Sequence, residues 1–447
     1  MESQLKLYRS STVGIISDNF KLLCDPWLRD GEYYGAWSHY PPYDLDKNLD
    51  EINSYDAIYI SHIHPDHCSE KTLSVISKDI PIYILAYHAK FLKFKLEKMG
   101  FKVIEIQHNS EETFSDNFKI QIMAADNCDP ELCYKFNGCA NILEKNETQQ
   151  IDSLALIKVN GINILNLNDC PYELAKSTIK KQLKKTEVDL LLLGYGGAGP
   201  YPQCFDNLDH DNKVIKAEKK RDSFLQNATN FINDINPRHF MPFAGTYFLT
   251  GNLSSLQYLR GVPSIDYASD HLENSIKTNS KCIRLNVDNS INLKNFQTSK
   301  KYAPISERDI KNYIKNTLSK KQLSYELDEN VKEEELFNLA KKAHIRYLNK
   351  IEDIKIELNS NILIKVLEKY IFIDNKNSKI SLIDKNAIHS MNNYVLYMLN
   401  PKLLKKILMG PRYAHWNNAE IGSHIKFFRK PDIFDRKIYN AICYFHI

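Results

Sequence analysis

The sequence has no long apolar run, no C-x-x-C pair and little net charge, and each absence removes a class of protein. No stretch approaches the ~18–20 apolar residues of a membrane-spanning helix. Lysine and arginine total 59 against 55 acidic residues, a net charge of +4, too slight for attachment to nucleic acid by bulk electrostatics. The nine cysteines (Cys24, Cys68, Cys128, Cys133, Cys139, Cys170, Cys204, Cys282 and Cys443) are odd in number and scattered. That pattern argues against a disulfide framework or a zinc ribbon and for reduced thiols in a cytoplasmic protein. The opening MESQLKLYRS has no basic region followed by an apolar core, so no secretory signal is expected. The N-x-S/T sites at Asn146, Asn227 and Asn252 then carry little meaning. Internal repeats and low-complexity tracts are also missing.

What remains is a folded globular chain: 447 residues, 43% hydrophobic and 26% charged, with length for two or three domains. Its first half alternates short apolar runs with turns. Leu5–Tyr8, Val13–Ile16, Lys21–Cys24, Ala57–Ile60, Ile82–Leu85 and Val103–Ile106 read as strands. Lys119–Met123, Leu154–Val159, Ile162–Leu167, Val188–Leu193 and His239–Phe243 continue the series, with Asn160-Gly161 as a hairpin turn. Helices are expected over residues 89–99 and 213–233; in the second, Phe224, Ala228, Phe231 and Ile232 share a face. Many strands with interspersed helices predict a layered α/β domain over residues 1–260. A connecting segment is expected over 261–305 and a smaller α+β domain over 306–447. In the latter, 306–350 reads as helical, Ile362–Val366, Tyr370–Ile373 and Lys379–Ile383 as strands, and 393–447 as mixed helix and loop.

The strongest chemical signal is Ser61-His62-Ile63-His64-Pro65-Asp66-His67, of the form H-x-H-x-D-H, just past the apolar run Ala57–Ile60. Alternate side chains of an extended segment point the same way, so His62 and His64 can share one metal. Pro65 then turns the chain and brings Asp66 and His67 back to the same point. Imidazoles with a carboxylate suit zinc or iron. Asp66 serves either as a ligand with His67 or as the catalytic general base. Asp169 follows the strand Ile162–Leu167 and reads as a further metal ligand.

This motif is the signature of the metallo-β-lactamase fold, which implies an αββα sandwich. The resemblance extends further. Cys24-Asp25-Pro26-Trp27, Gly35-Ala36-Trp37 and Tyr40-Pro41-Pro42 are similar to stretches of the CMP-N-acetylneuraminic acid hydroxylase family. So are Leu165–Cys170, Gly196-Gly197-Ala198, Met241–Gly245 and Arg429–Phe434. The resemblance implies one or two divalent metal ions, iron or zinc, and a small anionic substrate such as a nucleotide-activated sugar. Two departures stand out. The chain starts at the β-lactamase-like part, without the family's Rieske domain, so an oxygenase would draw electrons from a separate Rieske or ferredoxin-type donor. The superfamily's further ligating histidine is replaced in Ala125–Pro130, where Asp129 takes its place with Asp126 or Asp152 as substitutes, and the late histidine is missing from Phe243-Ala244-Gly245.

Other features are less specific. Asp25 is placed to orient a ligating histidine or to cap a turn, and is counted among the substrate-binding candidates. Trp37 and His39 lie in an aromatic stretch that can stack on a base or sugar. Gly194-Tyr195-Gly196-Gly197-Ala198-Gly199 matches G-x-G-x-x-G, but Pro200-Tyr201-Pro202 follows instead of a helix. Gly196 and Gly197 are read instead as a backbone cradle for substrate. Lys219, Lys220 and Arg221 read as a solvated helix face. Pro401–Gly410 and Trp416–Gly422 resemble a sterol-carrier-like helix and strand pattern. Three functions fit: an enzyme on an anionic metabolite, a plain metal-dependent hydrolase of a phosphodiester, lactone or amide, or a non-catalytic binding scaffold.

Overall fold

The computed structural model describes residues 2–129, 151–184, 186–353 and 355–447; Cys133, Cys139 and Asn146 lie outside them. Two seven-stranded sheets face each other. The first takes, edge to edge, Ser290–Asn292, Ser3–Arg9, Thr12–Ser17, Lys21–Cys24, Ala57–Tyr59, Ile82–Leu85 and Val103–Ile106. The second takes Lys281–Cys282, His239–Phe243, Leu190–Gly194, Ile162–Asn166, Ser153–Val159, Phe118–Ala124 and Glu111–Ser115. Residues of the segment 261–305 thus supply an edge strand to each sheet.

The side-chain period of two explains the layering. In Leu190–Gly194, Leu190 and Leu192 enter the core between the sheets with Ile15, Ile58 and Ile157. Leu191 and Leu193 point the other way, onto Leu174, Ala228 and Ile232 of the covering helices Tyr172–Gln182 and His210–Ile235. Strands buried on both faces read as continuous apolar runs, as these do. The result is the αββα sandwich that the histidine motif implies.

Parallel pairing decides where the site lies. Lys21–Cys24, Ala57–Tyr59 and Ile82–Leu85 run parallel in the first sheet. Ile162–Asn166, Leu190–Gly194 and His239–Phe243 run parallel in the second. The C-terminal ends of these strands release Asp25, the histidine cluster, Asp169, Gly196 and Gly245 at one edge of the sandwich, where ligands of α/β folds gather.

A five-stranded sheet follows, in the order Lys379–Ile383, Lys369–Asp374, Asn361–Val366, Tyr394–Met398, Lys426–Lys430. The last two strands lie in the region expected to be mixed helix and loop. Tyr394–Met398 pairs parallel with Asn361–Val366, and Lys426–Lys430 is a basic edge strand whose partner sits almost thirty residues earlier; neither pairing leaves a local sequence signal. The helix Glu333–Asp353 buries Leu336, Ala340, Ala343 and Tyr347 against this sheet. No helix among the described residues is long and apolar enough to cross a membrane.

Candidate metal centre

Three imidazoles and their carboxylates meet at the sandwich edge. His62 is fully buried; its Nδ1 lies 2.9 Å from the Ser61 hydroxyl, leaving Nε2 free to point at the cluster. That Nε2 is 3.0 Å from His64 Nδ1 and 3.8 Å from a carboxylate oxygen of Asp152. The amides of His67 and Cys68 both donate to the His64 carbonyl, at 3.0 and 2.8 Å, closing the turn over Pro65-Asp66. The turn returns His67 to the cluster, with its ring centroid 4.3 Å from that of His62. His67 Nε2 then lies 3.3 Å from Asp169 and 3.7 Å from Asp66.

These separations test whether a metal fits. Bonds of ~2.1 Å at tetrahedral or octahedral angles put neighbouring donor atoms roughly 3.0–3.4 Å apart. His62–His64 at 3.0 Å and His67–Asp169 at 3.3 Å meet that requirement. Ligand atoms of His62, His67 and Asp169 also lie within 4.8 Å of one another. The donor set fits a first-row divalent metal. His64 and Asp66 adjoin this group, and Asp152 reaches it at His62.

Asp25 supports the arrangement from behind. It is fully buried, with φ of 45° at the end of its strand. Its carboxylate accepts the Ser61 amide and hydroxyl, each at 2.7 Å, and His67 Nδ1 at 2.7 Å. Fixing Nδ1–H in this way presents His67 Nε2 as the ligand atom. Of the roles expected for Asp25, the orientation of a histidine is the one these contacts serve, because both of its oxygens are engaged and it has no exposed surface to offer a substrate.

Electrostatics follow the packing. Burial, then the neighbouring His67 and His64, hold the His62 pKa well below its ordinary value. Burial would also lower His67, but Asp169 and Asp25 outweigh it and raise its pKa. Burial, reinforced by Asp169, pushes Asp152 up to about 7. Carboxylates crowded in this way call for a cation.

The remaining expected residues divide into three groups. Trp37, Gly196 and Gly197 line a cavity of about 360 Å³ together with Asp66 and Asp169. A Cβ on Gly197 would stand 1.9 Å from the Phe224 ring, so only glycine fits that turn of the loop. Lys220, expected on a solvated face, instead donates to the carbonyls of Ala198 and Tyr201, at 3.0 and 2.9 Å, and holds the same loop. His39 does not reach the cavity: it packs against Trp27 at 3.7 Å between ring centroids, and burial lowers its pKa to about 3. Asp129 lies at the end of the described segment 2–129, with its amide donating to the Asp126 carbonyl at 2.9 Å. Two left-handed residues, Asn127 and Cys128, turn the chain before it, whereas Asp152 directly precedes the strand whose Ser153 pairs with Ala124.

Sequence reasoning missed two further contributors. The Tyr33 hydroxyl donates to Asp66. The side chain of Asn417, at the start of the helix Trp416–Ile421, stands beside His64 and favours its charged form. Neither lies near the motif in sequence.

The chain is similar to the cytidine monophosphate-N-acetylneuraminic acid hydroxylase of Xenopus laevis, 28% identical over 244 residues, covering 52% of this chain and 36% of that protein. The Sus scrofa protein of the same name is 25% identical over 276 residues, covering 59% of this chain and 55% of that protein. The chain therefore spans between about a third and just over half of the length of these relatives. A solved structure described as a possible metal-dependent hydrolase from Veillonella parvula DSM 2008 covers 66% of this chain and all of its own, with 14% identity and a TM-score of 0.43. Residues 4–242 match the model of the Beta-lactamase superfamily domain. That match takes in more than half of the chain, both halves of the sandwich and every imidazole and carboxylate of the cluster, and the chain belongs to the beta-lactamase superfamily.

Proposed function

We propose that this chain is a metal-dependent enzyme acting on a nucleotide-activated sugar or a similar anionic metabolite. The observation that carries the reading is the convergence of His62, His64 and His67 with Asp66, Asp152 and Asp169, backed by Asp25, at a cavity open to a small molecule. One or two ions of iron or zinc held there supply Lewis acidity and, for iron, redox capacity. The protein's own groups do the rest. Asp25 and Ser61 fix the ring orientations. Asp66 lines the cavity and is set to move a proton, with the Tyr33 hydroxyl on one oxygen. Gly196 and Gly197 bring backbone close to the substrate, and Trp37 forms a flat wall, stacked on Tyr247 at 3.6 Å.

Similarity to hydroxylases favours hydroxylation. Its balance is one C–H bond and one O2 converted to C–OH and water, with two electrons and two protons from an external Rieske or ferredoxin-type donor. The described cysteines are free thiols, most of them buried, which suits a reducing cytoplasmic setting.

The test is elemental analysis of the purified chain, followed by oxygen uptake with CMP-N-acetylneuraminic acid, a ferredoxin and its reductant. Iron with substrate-dependent uptake supports hydroxylation. Turnover with zinc alone would move the protein to the hydrolases. A wild-type chain without metal, or a His62→Ala/His64→Ala variant with undiminished activity, would overturn the reading.

A further inference from the structure

The segment Gly31–Trp37 is a tight turn in which Tyr33, Tyr34 and Gly35 follow one another with φ of 50°, 57° and 92°. Residues with a side chain avoid that left-handed region, and two in succession persist only where their surroundings hold them. Inside the turn, the Gly35 amide donates to the Gly31 carbonyl at 3.0 Å and the Ala36 amide to the Tyr33 carbonyl at 3.1 Å. Further support comes from the C-terminal part expected over 306–447. The Ser324 amide donates to the Tyr34 carbonyl at 2.9 Å, and the His415 amide to the Tyr34 hydroxyl at 2.7 Å. His424 Nε2 donates to the Tyr33 carbonyl at 2.7 Å.

The chemistry of His424 suits that contact. A carbonyl only accepts, so Nε2 carries the proton. The ring is buried, which lowers its pKa to about 4 and leaves it neutral at pH 7 with Nδ1 as an acceptor. The hydroxyl of Tyr325, also buried, lies 3.0 Å from Nδ1 and donates to it. Both ring nitrogens are thus engaged. Gly422 permits the close approach: a Cβ there would stand 2.9 Å from His424 Nε2 and 3.0 Å from Tyr33 Cβ. The other end of Tyr33 lies at the metal centre. Its hydroxyl donates to Asp66 Oδ1, and its ring packs on Trp37 at 4.4 Å between centroids. The bond to Oδ1 fixes the rotation of the Asp66 carboxylate, whose Oδ2 lies 3.7 Å from His67 Nε2.

We propose that His424 is a positioning residue of the metal centre: by holding the Tyr33 carbonyl it fixes the left-handed turn that aims the Tyr33 hydroxyl at Asp66, with Tyr325 locking the tautomer that does so. The inference rests on the functional reading above through its metal, and deepens it, by making the C-terminal part a determinant of how Asp66 is presented. His424 acts through Tyr33 and not on the reacting atoms.

The experiment measures cobalt(II) binding by the full chain after treatment with a chelator. Competition with a second chelator gives the affinity, and the visible bands of the bound ion report the geometry of its ligands. Tyr33→Phe is expected to weaken binding about tenfold, as loss of an outer partner does, and to change the bands; His424→Ala should do the same. His424→Gln keeps an amide N–H at the reach of Nε2 and should restore most of the affinity. The double variant Tyr33→Phe/His424→Ala should bind as Tyr33→Phe does, because no hydroxyl remains for His424 to aim. If His424→Ala melts like an unfolded chain, Tyr325→Phe takes its place in the same cycle, with a several-fold weakening. Wild-type affinity and bands in the folded single variants, a loss in His424→Gln equal to that in His424→Ala, or additive losses in the double variant overturn the inference. So does a wild-type chain that binds no cobalt. His424-dependent cobalt binding in a chain that turns over no substrate upholds the inference and sinks the enzymatic reading; metal-dependent turnover by a chain whose variants bind cobalt as the wild type does has the opposite meaning.

Discussion

At the scale of single residues, the centre depends on one buried carboxylate that touches no substrate. Asp25 gathers the Ser61 amide, the Ser61 hydroxyl and the His67 ring, and so fixes two neighbouring imidazoles through three contacts of 2.7 Å. An amide in its place has one acceptor and one donor group, so it cannot receive all three. Asp25→Asn is expected to keep the fold and to release the His67 ring from its orientation. Loss of such a partner typically lowers metal affinity 10–100-fold. Competition with a chromogenic chelator measures it, and circular dichroism confirms that the variant is folded. Wild-type metal retention in Asp25→Asn would show that the His67 orientation is set by something else.

At the scale of elements, the short helix Trp416–Ile421 performs two separate tasks. Its start places Asn417 beside His64, whose charged form it favours. Asn417→Ala is expected to lower metal affinity by roughly tenfold while leaving the melting temperature close to wild type, as read by the same chelator competition. Its far end carries Glu420, which is buried, with Oε1 lacking a partner among the described residues. Burial pushes Glu420 up from 4.5 to about 8. A carboxyl with a raised folded-state pKa binds more protons when folded than when unfolded, so its contribution to stability is full below 4.5 and is lost as pH rises to about 8. Glu420→Gln keeps the shape and removes the titration. It should flatten the pH dependence of the melting temperature over that interval and be the more stable form at pH 9. Equal slopes for both proteins between pH 5 and 9 would count against a buried neutral Glu420.

The same scale shows what the sequence could convey. The sandwich was legible because strands buried on both faces are written as runs such as Leu190–Leu193, and because His62, His64 and His67 sit within six consecutive positions just past the strand Ala57–Tyr59. Asp169 was legible for the same reason, as the residue leaving a strand end. What could not be read depends on which strand lies beside which. Asp152 reaches His62 only because Ser153–Val159 pairs with Phe118–Ala124. His39 looked like a binding residue until its neighbours Trp27 and Asp30 closed over it. Asn417 lies more than 350 residues from the imidazole whose charge it favours, and no local pattern can announce such a neighbour.

At the scale of the whole molecule, the parts expected over residues 1–260 and 306–447 share packing. One apolar cluster holds Trp27, Trp37, Tyr247 and Leu249 from the first part and Leu323, Trp416 and Phe427 from the second. Backbone joins the two as well: the amide of Phe427 donates to the Cys204 carbonyl and that of Asp206 to the Phe427 carbonyl, both at 2.8 Å, while Phe205 and Phe427 stack at 5.0 Å. Asn207 exchanges two further bonds of 2.7 Å with the Arg429 backbone. Trp37 links this shared core to the metal cavity that it lines. A chain ending at residue 305 would expose Trp27, Trp37 and Phe205 to water, at about 1.5–3 kcal/mol for each large apolar side chain. Set against typical domain stabilities of about 5–15 kcal/mol, such losses are enough to unfold it. The truncated chain is therefore expected to be insoluble or to behave as a partly folded species in size-exclusion chromatography, and to retain no metal. A compact, metal-retaining fragment 1–305 would show that the sandwich folds alone and that the C-terminal sheet is an accessory rather than one side of the same core.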